Sequence, residues 1–129
     1  MRITNTKYQL GRISFTIARQ AHIKAANITV DANHLRHIEI EHPTALKELN
    51  IPAYKYVKMI VDNYDEIRER PCNAIILVMK NSTRKDDTCT LELYMDNTTK
   101  EWQVKTAQPR RNVSNDKLLW EKKKGGRTT

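Results

Sequence analysis

At 129 residues, with 39% hydrophobic and 29% charged side chains, three glycines and four prolines, the chain has the composition of one globular domain and not of a disordered or fibrous protein. No apolar run reaches the roughly 18 to 20 residues that cross a bilayer, and no leader-like pattern opens the chain, so the expectation is a cytoplasmic protein without membrane contact. The net charge of +8 sits at the ends: residues 1–30 hold five Lys/Arg and no acids, and residues 100–129 hold nine basic against three acidic side chains. Basic termini suit a surface that meets a polyanion, although they also serve as solubilising tails. Cys72 and Cys89 have neither metal-site spacing nor a disulfide framework around them, which suits a reducing compartment.

In chain order, "KYQLGRIS" is consistent with a short strand, and "FTIARQAHIKAA" reads as helical, with Ile17, Ala21 and Lys24 near one face. "ITVD" leads in extended form to a helix that Asp31 can cap, and Leu35, Ile38 and His42 follow its stripe. Pro43 disfavours the α conformation at His42, so that helix should end or kink there. "PTALKELNI" restarts helically, and "PAYKYVKMIVDNYDEIRER" predicts a helix with Val57, Ile60, Val61, Tyr64 and Ile67 on one stripe. Beyond Pro71 the pattern changes to strands. "NAIILVMK" is a continuous β-branched run, "TCTLELYM" alternates around Cys89, Leu91, Leu93 and Met95, and "KEWQVKTA" places Trp102, Val104 and Thr106 on one face. "NSTRKDD" and "DNTT" are the connecting turns. The tail fits either a fourth strand carrying Leu118 and Trp120 or a short basic helix; the strand is preferred because a meander already in progress leaves an edge to pair. Residues 1–124 are expected to form a single domain and 125–129 a disordered tail.

Three of the four histidines fall in nine residues of "NHLRHIEIEHP". His34 and His37 are three apart, within about 60° on a helix, a spacing that can chelate. The zinc-protease pattern needs histidines four apart with Glu after the first, whereas His37 and His42 are five apart and Ile38 holds the Glu position, so no metal and no cofactor is expected. Neither a nucleophile elbow nor a phosphate-cradling glycine loop is present. What remains is proton transfer beside a phosphodiester: imidazoles titrating near neutrality can deprotonate a ribose 2′-hydroxyl and protonate a leaving 5′-oxygen. Lys105, Thr106, Arg110 and Arg111 would stabilise the added phosphate charge. Histidines on a polar helix face are also ordinary solvated residues. Trp102 alternates in phase with Val104 as a core residue would, yet an aromatic beside basic residues can stack on a base, and Trp120 shares both readings. The Lys122 to Lys124 run is either a solvated end or a backbone contact.

The run "HLRHIEIEHP" on a helix, further helices, strands ending in "WQVKT" and a closing "LLW" resemble the phage-associated nucleases of the barnase, EndoU, colicin and RelE-like superfamily, over roughly residues 28–121. The resemblance implies an α+β domain with N-terminal helices packed on a four-stranded antiparallel sheet. It implies metal-independent, toxin-like RNA cleavage through a 2′,3′-cyclic phosphate. His37 and His42 would be the acid/base pair, His34 a substitute for either, and Thr106 the hydroxyl that holds the scissile phosphate. RNA would be bound through Lys105, Arg110, Arg111, Trp120 and Lys122, the two arginines being suggested by charge and position alone. An acidic immunity or antitoxin protein would be the expected protein partner. The competing expectations are a non-catalytic nucleic-acid-binding or phage structural module on the same fold, and a ribosome-dependent mRNA cleaver.

Overall fold

The computed structural model describes residues 6–81 and 85–122. The expected tail at 125–129, Lys123 and Lys124, and the middle of the "NSTRKDD" loop lie outside the described residues. The elements run β1 (Lys7–Ile13), α1 (Phe15–Ala21), β2 (Ala26–Asp31), α2 (Ala32–Glu41), α3 (Pro43–Leu49), α4 (Ala53–Asn63), β3 (Glu66–Arg70), β4 (Ala74–Met79), β5 (Asp86–Met95), β6 (Lys100–Arg110) and β7 (Leu118–Glu121). A single 3-10 turn, Val113–Asn115, lies between β6 and β7.

Local chemistry sets most boundaries. The Ser14 hydroxyl accepts the Ile17 N–H to start α1, which ends at His22 in the left-handed conformation, where the His22 N–H returns to the Ala18 and Arg19 carbonyls. The Asp31 carboxylate accepts the His34 N–H at 2.8 Å and starts α2. Pro43 then begins α3 directly after His42, because its missing N–H would have been unsatisfied in a first turn anyway. Tyr64, with φ −63° and ψ 147°, breaks α4.

The strands pair in the order β1-β2-β6-β5-β4-β3-β7 as one mixed sheet; β2 and β6 are parallel and every other pair is antiparallel. One face carries Ile28, Val30, Ile67, Ile75, Leu77, Cys89, Leu91, Trp102 and Val104 and is closed by Ile38 of α2 and by Tyr56, Val57 and Ile60 of α4. On the other face Ile76 and Val78 are covered by Val113 of the β6–β7 connection.

This architecture is α+β, but it corrects the expected four-stranded sheet behind N-terminal helices: the described residues form seven strands, and two of them precede α2. The expected long fourth helix ends at Asn63, and Glu66–Arg70 is a strand. Ile67 was expected on the helical stripe, yet in the sheet it pairs with Leu77, the Arg68 Nε donates to Glu66 Oε1 at 2.8 Å and Arg70 pairs with Asp116 at 3.1 Å. Tertiary pairing thereby overrides local helix preference. The tail does form a strand, β7, but it does not extend the meander at β6. It pairs antiparallel with β3 at the far edge, after the β6–β7 connection has crossed the sheet.

A third correction concerns phase. Leu91 pairs with Val104 and Thr90 with Thr106, so Lys105 is an extra residue in a β-bulge. Past it the alternation inverts: Ala107 takes the core-facing position in line with Trp102 and Val104, and Thr106 turns to the opposite face beside Thr90. β6 also runs on to Arg110 through Pro109. β2 pairs only with Glu101–Gln103, so β6 is an open edge by the time it reaches Pro109, a position where a missing N–H is tolerated.

Candidate functional site

That open edge of β6 meets the junction of α2 and α3. His42 is at once the C-cap of α2 and the N-cap of α3, with φ −133° and ψ 50°, a backbone conformation outside the helix. A cleft of about 560 Å³ opens there, lined by Glu41, His42, Thr44, Glu48, Lys85, Gln108 and Arg111, with Pro43, Ala45 and Pro109 as apolar wall. Gln108 is anchored through its backbone, since the Thr88 hydroxyl donates to the Gln108 carbonyl at 2.7 Å.

Electrostatically the cleft is unusual for this molecule. Burial holds the His42 imidazole below its ordinary pKa of 6.5; the neighbouring Glu41 pulls the other way, and the charge of His37 adds to the lowering. His42 is therefore biased toward the neutral form, the form that accepts a proton. Lys85 and Arg111 line the same space, and among the described residues neither side chain has an ion-pair or hydrogen-bond partner. Two cations without an ion pair among the described residues, in a cleft that also holds Glu41 and Glu48, can attract a phosphodiester, and a neutral imidazole beside them can take a proton from a neighbouring hydroxyl.

The expected site residues are only partly brought together. His42 and Arg111 share the cleft. His37 is exposed on α2, near enough to His42 for its charge to be felt there. His34 is one turn earlier and held apart by Asp31, whose Oδ1 lies 2.8 Å from the His34 Nδ1. Thr106 lies on the Gln108 face of β6, two residues back, and does not line the cleft. Lys105 is 3.8 Å from Glu92, and Arg110 sits across from Asp86 on β5. Trp120 is a packing residue: its Nε1 donates to Gln20 Oε1 at 2.8 Å and its ring meets Tyr64 edge-on at 5.5 Å. Trp102 is buried, with its Nε1 donating to the Lys24 carbonyl at 2.9 Å. Lys122 is exposed at the same end of the sheet as the cleft, but directly after β7, four strands from β6 and so about 19 Å away.

Sequence reasoning missed Lys85, Gln108, Glu41 and Glu48. Lys85 was hidden in a loop read only as a turn, and Gln108 lay beyond the strand end set at Ala107. A larger cleft of about 1320 Å³ opens at the other end of the sheet, between the end of α1 and the β3–β4 turn, with His22, Lys24, Arg70, Cys72 and Lys117 on its rim. Among the described residues no three His, Cys, Asp or Glu side chains gather in a way that could hold a metal ion, and no helix is long and apolar enough to cross a membrane. No protein-family model matches the chain, and no curated protein or solved structure is detectably similar to it.

Proposed function

We propose that the chain is a small, toxin-like, metal-independent endoribonuclease whose reaction takes place in the α2–α3 cleft. The observation that carries this reading is the juxtaposition of His42, biased neutral by burial, with Lys85 and Arg111, cations that have no ion pair among the described residues. It does not rest on the fold of the nuclease superfamily that the sequence resembles, because the seven-stranded sheet is a different architecture.

In this reading His42 removes the ribose 2′-hydroxyl proton, and the 2′-oxygen attacks the adjacent phosphorus. The bond to the 5′-oxygen breaks, and that oxygen takes a proton from His37, which stands on α2 outside the cleft lining but near enough for its charge to reach His42, leaving a 2′,3′-cyclic phosphate and a 5′-hydroxyl. Lys85 and Arg111 stabilise the charge that builds on the phosphate oxygens, and Gln108 offers an amide donor beside them. Lys122, about 19 Å along the sheet end, suits a phosphate a few nucleotides away. An acidic protein covering Lys85 and Arg111 would block the site, which is the form an inhibitory partner would take.

A second reading, binding of RNA without cleavage, is favoured by one observation: no hydrogen bond among the described residues fixes the His37 ring. Incubation of purified protein with total RNA, with and without EDTA, decides between them. Cleavage that persists in EDTA and yields 2′,3′-cyclic ends supports the nuclease; salt-sensitive binding with intact RNA supports the binder.

A further inference from the structure

Among the described residues one carboxylate is buried completely: Asp87, on β5, is 0% exposed. It lies on the core-facing side of the strand, two residues from Cys89, where an aliphatic side chain would pack without any desolvation cost. Both of its oxygens are engaged. The Tyr56 hydroxyl, itself in the core, donates to Oδ1 at 2.7 Å, and the Asn81 Nδ2 donates to Oδ2 at 2.9 Å. Asn81 has a second amide hydrogen, and the same Nδ2 donates to the Lys85 carbonyl at 3.0 Å. The Asn81 backbone N–H donates in turn to Asp86 Oδ1 at 3.0 Å. An unbroken set of hydrogen bonds thus runs from α4, through the buried carboxylate, to the main chain of Lys85, which lines the His42 cleft.

We propose that Asp87 and Asn81 are positioning residues for Lys85, an assignment that rests on the reading of the cleft given above. Asp87 acts as the fixed post, with Tyr56 holding one oxygen so that the other faces Asn81. The carboxylate accepts only, and so does the Lys85 carbonyl, so the orientation of the Asn81 amide is dictated by chemistry. Asn81 then clamps the two ends of the β4–β5 connection and sets where the Lys85 backbone stands at the mouth of the cleft. A lysine side chain has wide rotamer freedom; with its backbone fixed, its ammonium is confined to the neighbourhood of Arg111 and His42, and less freedom remains to be lost when a phosphate binds. A buried carboxylate whose far end holds a loop that lines a cleft is thereby accounted for, which core packing alone does not do.

The test uses a short 2′-O-methyl RNA, which cannot be cleaved, so that binding is read alone. Asn81 is partly exposed, so Asn81→Ala is expected to fold, and its RNA affinity should fall about tenfold, the same factor as Lys85→Ala. The double variant should be no weaker than Lys85→Ala alone, because the first change acts only through the second residue. Backbone ¹⁵N relaxation at Lys85 should show lost order in Asn81→Ala. Asp87→Asn, which keeps an acceptor for Tyr56 but turns a donor toward Asn81, should repeat the loss. Losses that add in the double variant, or an Asn81→Ala protein with wild-type order at Lys85, overturn the proposal. Wild-type protein that binds no RNA overturns the reading of the cleft instead, and the relaxation measurement at Lys85 then decides the clamp by itself.

Discussion

The two clefts at opposite ends of the sheet differ in what their charges are doing. At the larger one Arg70 pairs with Asp116 at 3.1 Å and, with Arg68 behind it donating to the Asp116 carbonyl at 2.7 Å, brings the β6–β7 connection down beside β3, while Lys24 and Lys117 on the rim have no ion pair among the described residues. At the smaller one Lys85 and Arg111 have no ion pair among the described residues, and they share the cleft with Glu41, Glu48 and an imidazole whose pKa burial has lowered. Cavity volume alone would select the larger end, against the function proposed above. Charges already neutralised by the fold support its walls, and charges left unneutralised are available to a ligand.

This contrast can be broken most severely at His42. His42→Ala should lower RNA cleavage by about 10²- to 10⁴-fold, the usual contribution of a positioned proton carrier, while His22→Ala and Cys72→Ser at the larger cleft leave the rate unchanged. Arg68 tests the other half. Its side chain is 11% exposed and that of its partner Glu66 8%, so Arg68→Ala strands a nearly buried carboxylate and should cost about 3 to 5 kcal/mol in chemical denaturation, with no specific loss of RNA affinity at temperatures where the variant is folded. Arg111→Ala should do the reverse, leaving stability within about 0.5 kcal/mol and weakening the transition state by about 1.5 to 3 kcal/mol in kcat/KM.

The smallest expected effect is on pH dependence. Because the folded state holds His42 below 6.5, the unfolded chain takes up that proton first, and stability is lost as pH falls through and below that value. Thermal unfolding at a series of pH values should show this loss in the wild type and less of it in His42→Gln. The cleavage rate should likewise rise with pH across an imidazole titration lying below 6.5, since the base acts when neutral.

Much of the sheet centre was legible, because β4, β5 and β6 carry strong β-branched or alternating patterns bounded by turn residues. The break between α2 and α3 was legible for the same local reason, Pro43. What was hidden depends on pairing between distant segments. Glu66–Arg70 looks like the end of a helix until β4 and β7 lie on either side of it and Asp116 meets Arg70. The face of Thr106 could not be read from alternation, because the extra residue at Lys105 exists only relative to β5. The site shows the same division. His42 and Arg111 stand out by residue type, whereas Lys85 and Gln108 join them only because the β4–β5 hairpin and the open edge of β6 converge on the α2–α3 junction.

The most direct measurement is an ¹H–¹⁵N titration of the protein with a short uncleavable RNA. Shifts concentrated at His42, Lys85, Gln108 and Arg111 are the predicted result. Shifts concentrated at His22, Lys24, Cys72 and Lys117, or none at all, would contradict the account.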